Sequence, residues 1–207
     1  MQTRTLADPE TLAARRAQLQ DPHVAPLTAF AERLRAGEML GERLDLPHFD
    51  PRSGGIHSEI LLLLESPGPK VAQTGFASPD NPDRTAENLS CLLKLAGISR
   101  ERCLMWNIVP WQLSAGGVVT PTAMQVRAAT PATLELLTLL PELRVVVLVG
   151  GKAQSGWRFV QPELPRPLPA MNCPHPSPRF FATDPQAPVR ALSALVEARL
   201  LAKNAAS

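Results

Sequence analysis

The chain has 207 residues, 44% of them hydrophobic and 19% charged, proportions that suit one globular domain and argue against a disordered chain. A net charge of +2 is too small to predict a polyanionic partner, although residues 144–207 hold eight Lys or Arg against three Asp or Glu. Three cysteines without paired spacing argue against a disulfide framework, and no run of 18 apolar residues predicts a membrane span.

The N-terminal part of the chain is predicted to be helical. Residues 9–20 and 27–43 have apolar side chains near helical spacing, with Arg and Glu between them. A loop rich in Pro and Gly then leads to the first strand. We therefore expect a single domain over residues 1–207, with a helical N-terminal extension over residues 1–45 and an α/β core over residues 46–203.

The first predicted strand, residues 59–64, ends at a polar motif. Its apolar run indicates burial on both faces of a parallel sheet, and the loop Glu65-Ser66-Pro67-Gly68 follows directly. Ligands of open α/β sheets bind beyond the carboxyl ends of such strands. Glu65 and its loop are therefore candidate site residues, with an ordinary tight turn as the alternative.

A long polar loop is predicted over residues 70–83, and it carries Phe76 between small residues. This ring either faces a ligand or lies beneath the loop. A helix follows, for which Asp83 or Thr85 is the predicted N-terminal cap and Gly97 the predicted stop.

The second strand is predicted to begin at Cys103 and to end near Asn107, shortly before Pro110. A buried amide without a hydrogen-bond partner is costly at such a position. Asn107 is therefore a candidate ligand-binding residue, and a turn-forming Asn is the alternative.

A fourth helix is predicted over residues 131–140, because proline is favoured at the first helical position. A third strand, residues 144–149, precedes Gly150-Gly151-Lys152 and a short helix to about residue 159. The Gly-Gly-Lys segment is a fragment of a phosphate loop that matches neither dinucleotide-binding nor P-loop spacing.

The fourth predicted strand, residues 170–173, is followed by His175-Pro-Ser-Pro-Arg179. The last helix is predicted over residues 188–203. Its expected buried face consists of Leu192, Leu195, Val196 and Leu200.

Strands that alternate with helices predict a three-layer α/β/α fold with a central four-stranded, mostly parallel sheet. The carboxyl ends of parallel strands meet at one edge of the sheet. Glu65, Asn107, Gly150 and His175 are therefore expected to lie along one edge.

Three segments together resemble motifs of the uracil-DNA glycosylase superfamily: Glu65-Ser-Pro-Gly68, Asn107 at the end of a strand, and His175-Pro-Ser-Pro-Arg179. Their order and intervals are similar to that family over about residues 45–200. The resemblance implies a base excision repair enzyme, a monofunctional glycosylase. Such an enzyme flips a deaminated base, in the simplest case uracil, out of DNA and hydrolyses its N-glycosidic bond.

The resemblance also implies roles for individual residues. The Asn107 amide, which both donates and accepts, would recognise the O4 and N3–H edge of uracil, and Phe76 would stack on the extruded ring. His175 would donate a hydrogen bond to uracil O2 as negative charge develops there. Glu65 would orient water or stabilise the cationic sugar.

The chain departs from the classical branch of the family at Ser66, because that branch has a water-activating Asp at this place. The group that activates water is therefore open. Glu65 is the first candidate, and Asn88, in the first turn of the helix after Phe76, is the second. A solvated or capping role is the alternative for Asn88.

The pattern Glu65-Ser-Pro-Gly68 is closer to the iron–sulfur branch of the family, which has four cysteine ligands. This chain has three cysteines, none of them in the N-terminal helices. We therefore expect a branch without the iron–sulfur cluster, no cofactor and no metal. A metal site at Cys173 and His175 would lack further paired ligands.

DNA is the expected partner, single- or double-stranded and containing uracil. Pro67, Gly68, Ser177 and Arg179 are expected to contact phosphate or to fill the gap left by the flipped base, in keeping with the basic last third. We expect a monomer without a membrane partner. The polar start Met-Gln-Thr-Arg-Thr is not typical of a signal peptide, so the expected location is cytoplasmic.

Three alternatives remain open. Ser66 favours the same fold with a changed base specificity, such as hypoxanthine, or a non-catalytic relative that binds DNA or lesions. An unrelated α/β hydrolase using Ser177 and His175 would lack the Gly-x-Ser-x-Gly elbow. A small nucleotide-binding or interaction module would use the Gly150-Gly151-Lys152 loop.

Overall fold

A computed structural model describes residues 3–113 and 119–204. A four-stranded parallel sheet forms its centre, with the strand order β4-β2-β5-β6. Two short parallel strands, β1 and β3, pair with each other beside it. The strands are β1 (His48–Phe49), β2 (Ile60–Leu64), β3 (Phe76–Ala77), β4 (Cys103–Asn107), β5 (Val145–Val149) and β6 (Ala170–Cys173).

The described residues also form eight α-helices, which cover both faces of the sheet. They are α1 (Pro9–Ala17), α2 (Ala25–Ala36), α3 (Pro69–Thr74), α4 (Arg84–Leu95), α5 (Ala123–Thr138), α6 (Gly151–Val160), α7 (Pro178–Thr183) and α8 (Ala187–Asn204). The predicted α/β fold with a four-stranded parallel sheet is confirmed. In the part of the chain that the structure describes, no helix is both long and apolar enough to cross a membrane.

Alternation along β2 explains the three layers. Leu61 and Leu63 point into a core shared with α2, α5 and α6, whereas Ile60, Leu62 and Leu64 point into a second core with α4 and α8. Successive side chains of a strand face opposite sides, so a strand of five apolar residues is buried only when helices cover both faces. The continuous apolar run therefore predicted this architecture.

The helix boundaries correct several predictions. Helix α2 ends at Ala36 rather than residue 43, because Gly37 adopts a left-handed conformation with φ 89° and the chain turns back. A Cβ at Gly37 would lie 2.7 Å from the Glu42 carbonyl oxygen, so a larger residue does not fit this turn. The polar stretch predicted as a loop over residues 70–83 contains α3 and β3.

The helix predicted to begin at Pro131 begins eight residues earlier, at Ala123. Thr122 and Gln125 form a reciprocal capping box at its start, and Pro131 lies inside the helix. The prediction relied on the proline alone, whereas the capping box satisfies two free backbone N–H groups and provides the stronger start.

The buried face of α8 also differs from the prediction. Leu195 is fully buried, but Leu200 is 48% exposed. The other buried positions are alanines: Ala187, Ala191, Ala194, Ala198 and Ala202. Small side chains on this face let the helix backbone approach the sheet closely, so the larger residues lie towards its flanks.

A buried network of ion pairs joins α1 to the rest of the protein. The Arg15 guanidinium pairs with Asp50 and lies 3.5 Å from Asp80, and Arg100 pairs with Asp50 at 2.7 Å and with Asp80 at 3.0 Å. The Ser78 hydroxyl donates a hydrogen bond to Asp50. All four charged side chains are at least nine-tenths buried and their charges balance, so each depends on the others for compensation.

Candidate active site

The parallel register brings the candidate residues to one edge of the sheet, as predicted. Leu64 of β2 lies opposite Asn107 of β4, and Val149 of β5 lies opposite Cys173 of β6. The backbone of the next residues continues the pattern, because the Val109 N–H donates to the Glu65 carbonyl at 3.1 Å. Glu65, Asn107, Gly150 and His175 therefore all follow or end strands at the same side of the sheet.

Glu65 is half-buried directly after β2, beside residues 119–121. The Thr120 side chain lies close enough to the Glu65 carboxylate to favour the charged form. Burial raises the pKa of Glu65 above its ordinary value of 4.5, while Thr120 and the positive charge of Lys152 oppose the increase. A partly buried carboxylate next to such groups can hold and orient a water molecule.

Ser66 and its neighbours form the turn from β2 into α3. The Ser66 hydroxyl makes a long contact of 3.5 Å with the Val119 carbonyl oxygen. Pro67 is buried, and Gly68 precedes Pro69, which occupies the first turn of α3. These residues place the motif at the mouth of the site rather than in the core.

The Asn107 side chain ends β4 and is only 8% exposed. Within residues 3–113 and 119–204, no group makes a hydrogen bond to its carboxamide. A nearly buried amide keeps unused donors and acceptors only at an energetic cost. This amide is therefore available to a ligand with a complementary edge.

His175 packs against the loop that follows β5. Gly150, with φ 89°, has its Cα so close to the imidazole that a Cβ there would lie 3.2 Å from both Cβ and Cδ2 of His175. Burial lowers the pKa of His175 below 6.5, and the charge of Asp83 only partly opposes this shift. His175 is therefore a neutral imidazole at neutral pH and can donate one ring N–H.

The loop that carries His175 is tied to α4. The Asn88 amide donates a hydrogen bond to the Pro176 carbonyl at 2.8 Å. Ser177 caps α7 by accepting a hydrogen bond from the Phe180 N–H at 3.3 Å, and Arg179 is exposed in the first turn of that helix. Asn88 thus holds the loop that carries His175, and it lies close to the site.

Phe76 lies on β3, fully buried, and its ring centroid is 5.7 Å from that of His48. Asn81 accepts a hydrogen bond from Thr74 and donates one to the Phe76 carbonyl, which fixes the turn around the ring. No part of the ring is exposed, so a base reaches it only if neighbouring atoms move.

Two residues near Glu65 were not assigned to the site from sequence. Thr120 follows Gly116 and Gly117 in the sequence and belongs to no motif that would single it out. Lys152 was noted only as part of a phosphate-loop fragment, yet its ammonium contacts the Pro121 carbonyl at 3.2 Å and its charge acts on Glu65. A Gly-Gly-Lys segment directly after a buried strand was the one signal that could have identified Lys152.

A groove of about 490 Å³ lies beside His175, between Gly151 at the start of α6 and Phe180 of α7, and neither Glu65 nor Asn107 lines it. In the described part of the chain, no three His, Cys, Asp or Glu side chains form a group that could hold a metal ion.

Comparison with known protein families identifies the family of this chain. Residues 51–196 match the family model described as the Uracil DNA glycosylase superfamily. A search of curated proteins found no match. The matched range includes β2, β4, β5 and β6 and every residue of the candidate site.

Proposed function

Since the chain belongs to the uracil-DNA glycosylase superfamily, whose members act on DNA as glycosylases, we propose that it excises uracil from DNA. It extrudes the nucleotide from the helix and hydrolyses the N-glycosidic bond without cutting the strand. The observation that carries this proposal is the Asn107 carboxamide, nearly buried at the end of β4 and without a partner among the described residues.

The proposed specificity follows from the chemistry of an amide. The Asn107 Nδ2 group donates to uracil O4, and Oδ1 accepts from uracil N3–H. Cytosine presents an amino group and an unprotonated N3 at the same positions. Its amino group would then face the donor Nδ2, and its N3 would face the acceptor Oδ1. Discrimination by a buried hydrogen-bonding group can be large, because a mismatch leaves polar groups unpaired.

The proposed chemistry uses His175 and Glu65 on different parts of the nucleotide. As the bond breaks, negative charge gathers on uracil O2, where the neutral His175 imidazole donates a hydrogen bond. Positive charge gathers on the sugar, where the Glu65 carboxylate stabilises it and orients water. Ser66 and Asn88 serve as supporting residues, with Asn88 holding the His175 loop through Pro176.

The DNA backbone is proposed to lie across the loops at this edge. Pro67, Gly68 and Ser177 would contact phosphate, and the exposed Arg179 would contact phosphate or occupy the gap left by the base. Phe76 would stack on uracil after a local rearrangement. We further propose that the protein acts as a monomer in the cytoplasm.

The test is a single-turnover cleavage assay on oligonucleotides that contain one uracil, single- and double-stranded, with matched strands that contain inosine or only normal bases. Release of uracil and not of hypoxanthine supports the proposal. Release of hypoxanthine alone would assign a changed specificity, which Ser66 in place of an acidic residue makes the main alternative. DNA binding without any release would indicate a binding protein.

The pH dependence of cleavage is expected to follow Glu65. A raised carboxyl pKa means that the rate rises with pH through the pKa of Glu65, above 4.5, and then reaches a plateau. Burial lowers the pKa of His175 below 6.5 despite Asp83, so any titration of His175 falls on the acidic limb and not on the plateau. The measurement is the single-turnover rate from about pH 4 to pH 8.

Glu65→Gln should remove the contribution of Glu65 to the acidic limb and lower the plateau by about 100-fold, since residue 65 can no longer ionise. Glu59→Gln is the control, because Glu59 lies at the other end of β2 and pairs with Arg102. An unchanged acidic limb in Glu65→Gln would show that another group titrates.

A further inference from the structure

Residues 119–121 cross the edge of the sheet directly over the Glu65 motif. The Val119 carbonyl faces the Ser66 hydroxyl at 3.5 Å, and the Thr120 side chain lies close enough to the Glu65 carboxylate to favour its charged form. On the other side, the Lys152 ammonium donates to the Pro121 carbonyl at 3.2 Å. Every residue of this short segment therefore contacts either the β2 motif or Lys152.

Lys152 reaches the segment from a different part of the fold. It is the second residue of α6, which begins after β5, the neighbour of β2 in the sheet. A surface lysine ordinarily extends into water, because holding its long side chain in one conformation costs entropy. Here the side chain is partly buried and its ammonium bonds a backbone carbonyl 31 residues away in sequence.

We propose that Lys152 is a positioning residue for the glycosylase reaction: by holding the Pro121 carbonyl it fixes residues 119–121, and thereby Thr120, against the Glu65 carboxylate. This inference rests on the proposed function of Glu65. In the sequence, Lys152 was notable only as part of a phosphate-loop fragment. The proposal gives Lys152 a role in the glycosylase reaction, so nucleotide binding is not needed to explain the Gly-Gly-Lys segment.

Two consequences follow for Glu65. Thr120 lies beside the Glu65 carboxylate, so loss of the Lys152 contact would loosen the surroundings of the group proposed to act on the sugar. The ammonium also favours the ionised carboxylate, since it lowers a pKa that burial raises. Among the described residues, Lys152 is the charged side chain that acts on Glu65 in this way.

The first experiment compares Lys152→Met, Lys152→Arg and the control Lys94→Met, which alters an exposed lysine on α4. In Lys152→Met the single-turnover rate at neutral pH should fall about 10-fold, while the dissociation constant for uracil-containing DNA stays within about 2-fold. Lys152→Arg keeps the charge and a donor for one carbonyl oxygen, so it should recover most of the rate. Lys94→Met should match the wild type.

The acidic limb of the pH profile distinguishes a positioning role of Lys152 from a general loss of structure in the variant. In Lys152→Met it should move to higher pH, because the pKa of Glu65 rises when the ammonium is removed; in Lys152→Arg it should stay in place. The proposal would be overturned if Lys152→Met lowered the rate without shifting the acidic limb. An equal loss of rate in Lys152→Arg would overturn it as well. A fall in DNA affinity without a fall in rate would instead make Lys152 a phosphate contact.

A second readout needs no substrate and so remains informative if uracil cleavage itself fails. The carboxyl carbon of Glu65, assigned by NMR with Glu65→Gln as reference, should titrate at higher pH in Lys152→Met than in the wild type. Amide hydrogen exchange at residues 119–120 should become faster in the same variant. If neither changes, Lys152 does not hold the segment against Glu65, whatever reaction the protein catalyses.

Discussion

Replacing Asn107 or His175 by alanine is expected to lower the single-turnover rate of uracil release by about 100-fold to 1000-fold, the usual cost of removing one donor aimed at developing charge. Asn107→Ala removes both hydrogen bonds to the uracil edge, and His175→Ala removes the N–H proposed to face O2. Both side chains lie at the same sheet edge, one ending β4 and the other following β6.

The two variants should differ in a way that tests their separate roles. Loss of base recognition in Asn107→Ala should also weaken discrimination between uracil and cytosine. His175→Ala should leave that discrimination intact and reduce only the chemical step. Because neither residue supports a second group through a hydrogen bond in the described chain, both variants should unfold at nearly the wild-type denaturant concentration.

His57→Ala is the matched control for the histidine. His57 is exposed, precedes β2 at its amino end and pairs with Glu142 at 2.7 Å, far from the proposed site. Its cleavage rate should equal that of the wild type. If His175→Ala cleaves as fast as His57→Ala, the assignment of His175 to the leaving base is wrong, and Glu65 and Asn107 must act without it.

Arg100→Met is expected to destabilise the protein by about 3–5 kcal/mol, because it leaves buried carboxylates without a counter-charge. Arg100 is 6% exposed and pairs with both Asp50 and Asp80. Burial alone would raise the pKa of Asp50, but Arg100, Arg15 and the Ser78 hydroxyl lower it below 3.8. The measurement is the free energy of unfolding in denaturant at neutral pH.

Two further variants make this prediction specific. Arg102→Met breaks the partly exposed pair with Glu59 and should cost at most about 1 kcal/mol. The double variant Arg100→Met with Asp80→Asn leaves the Arg15–Asp50 pair in charge balance, so it should be more stable than Arg100→Met alone. An equal loss in Arg100→Met and Arg102→Met would show that the buried network contributes little.

The same network predicts sensitivity to acid. A carboxyl whose pKa is lowered in the folded state adds stability at pH values above its unfolded value of 3.8, and this stability is lost as the pH falls through the folded value. The wild type should therefore lose stability below about pH 4 more steeply than the double variant, in which Asp50 has lost Arg100, the main group that lowers its pKa.

Local patterns predicted the sheet and the edge where the candidate site lies. Continuous apolar runs gave the bounds of the four long strands almost to the residue, and a parallel sheet places all their carboxyl ends together. The residues that follow those ends, Glu65, Asn107 and His175, were identified from their positions for this reason. Strand burial on both faces is a short-range property of the sequence, so no long-range information was needed.

Local sequence patterns did not predict the features that depend on pairs of residues far apart in the chain. Arg15 and Asp50 are 35 positions apart, Asn88 and Pro176 are 88 apart, and neither pair leaves a periodic signal. The alanine face of α8 was missed because hydrophobicity alone favours leucine, whereas the distance between helix and sheet favours small residues. In the same way Phe76 was predicted to lie in a polar loop, with the ring facing a ligand or lying beneath the loop, whereas it lies on a strand that pairs with β1 and its ring is buried.

The motif residues and the parallel α/β architecture thus followed from residue types and their spacing along the chain. The charge state of Glu65, the burial of Phe76 and the contact of Lys152 with Pro121 followed from packing. The physical reason is that hydrophobic periodicity is a local property, whereas desolvation and ion pairing depend on which remote groups the folded chain brings within a few ångströms.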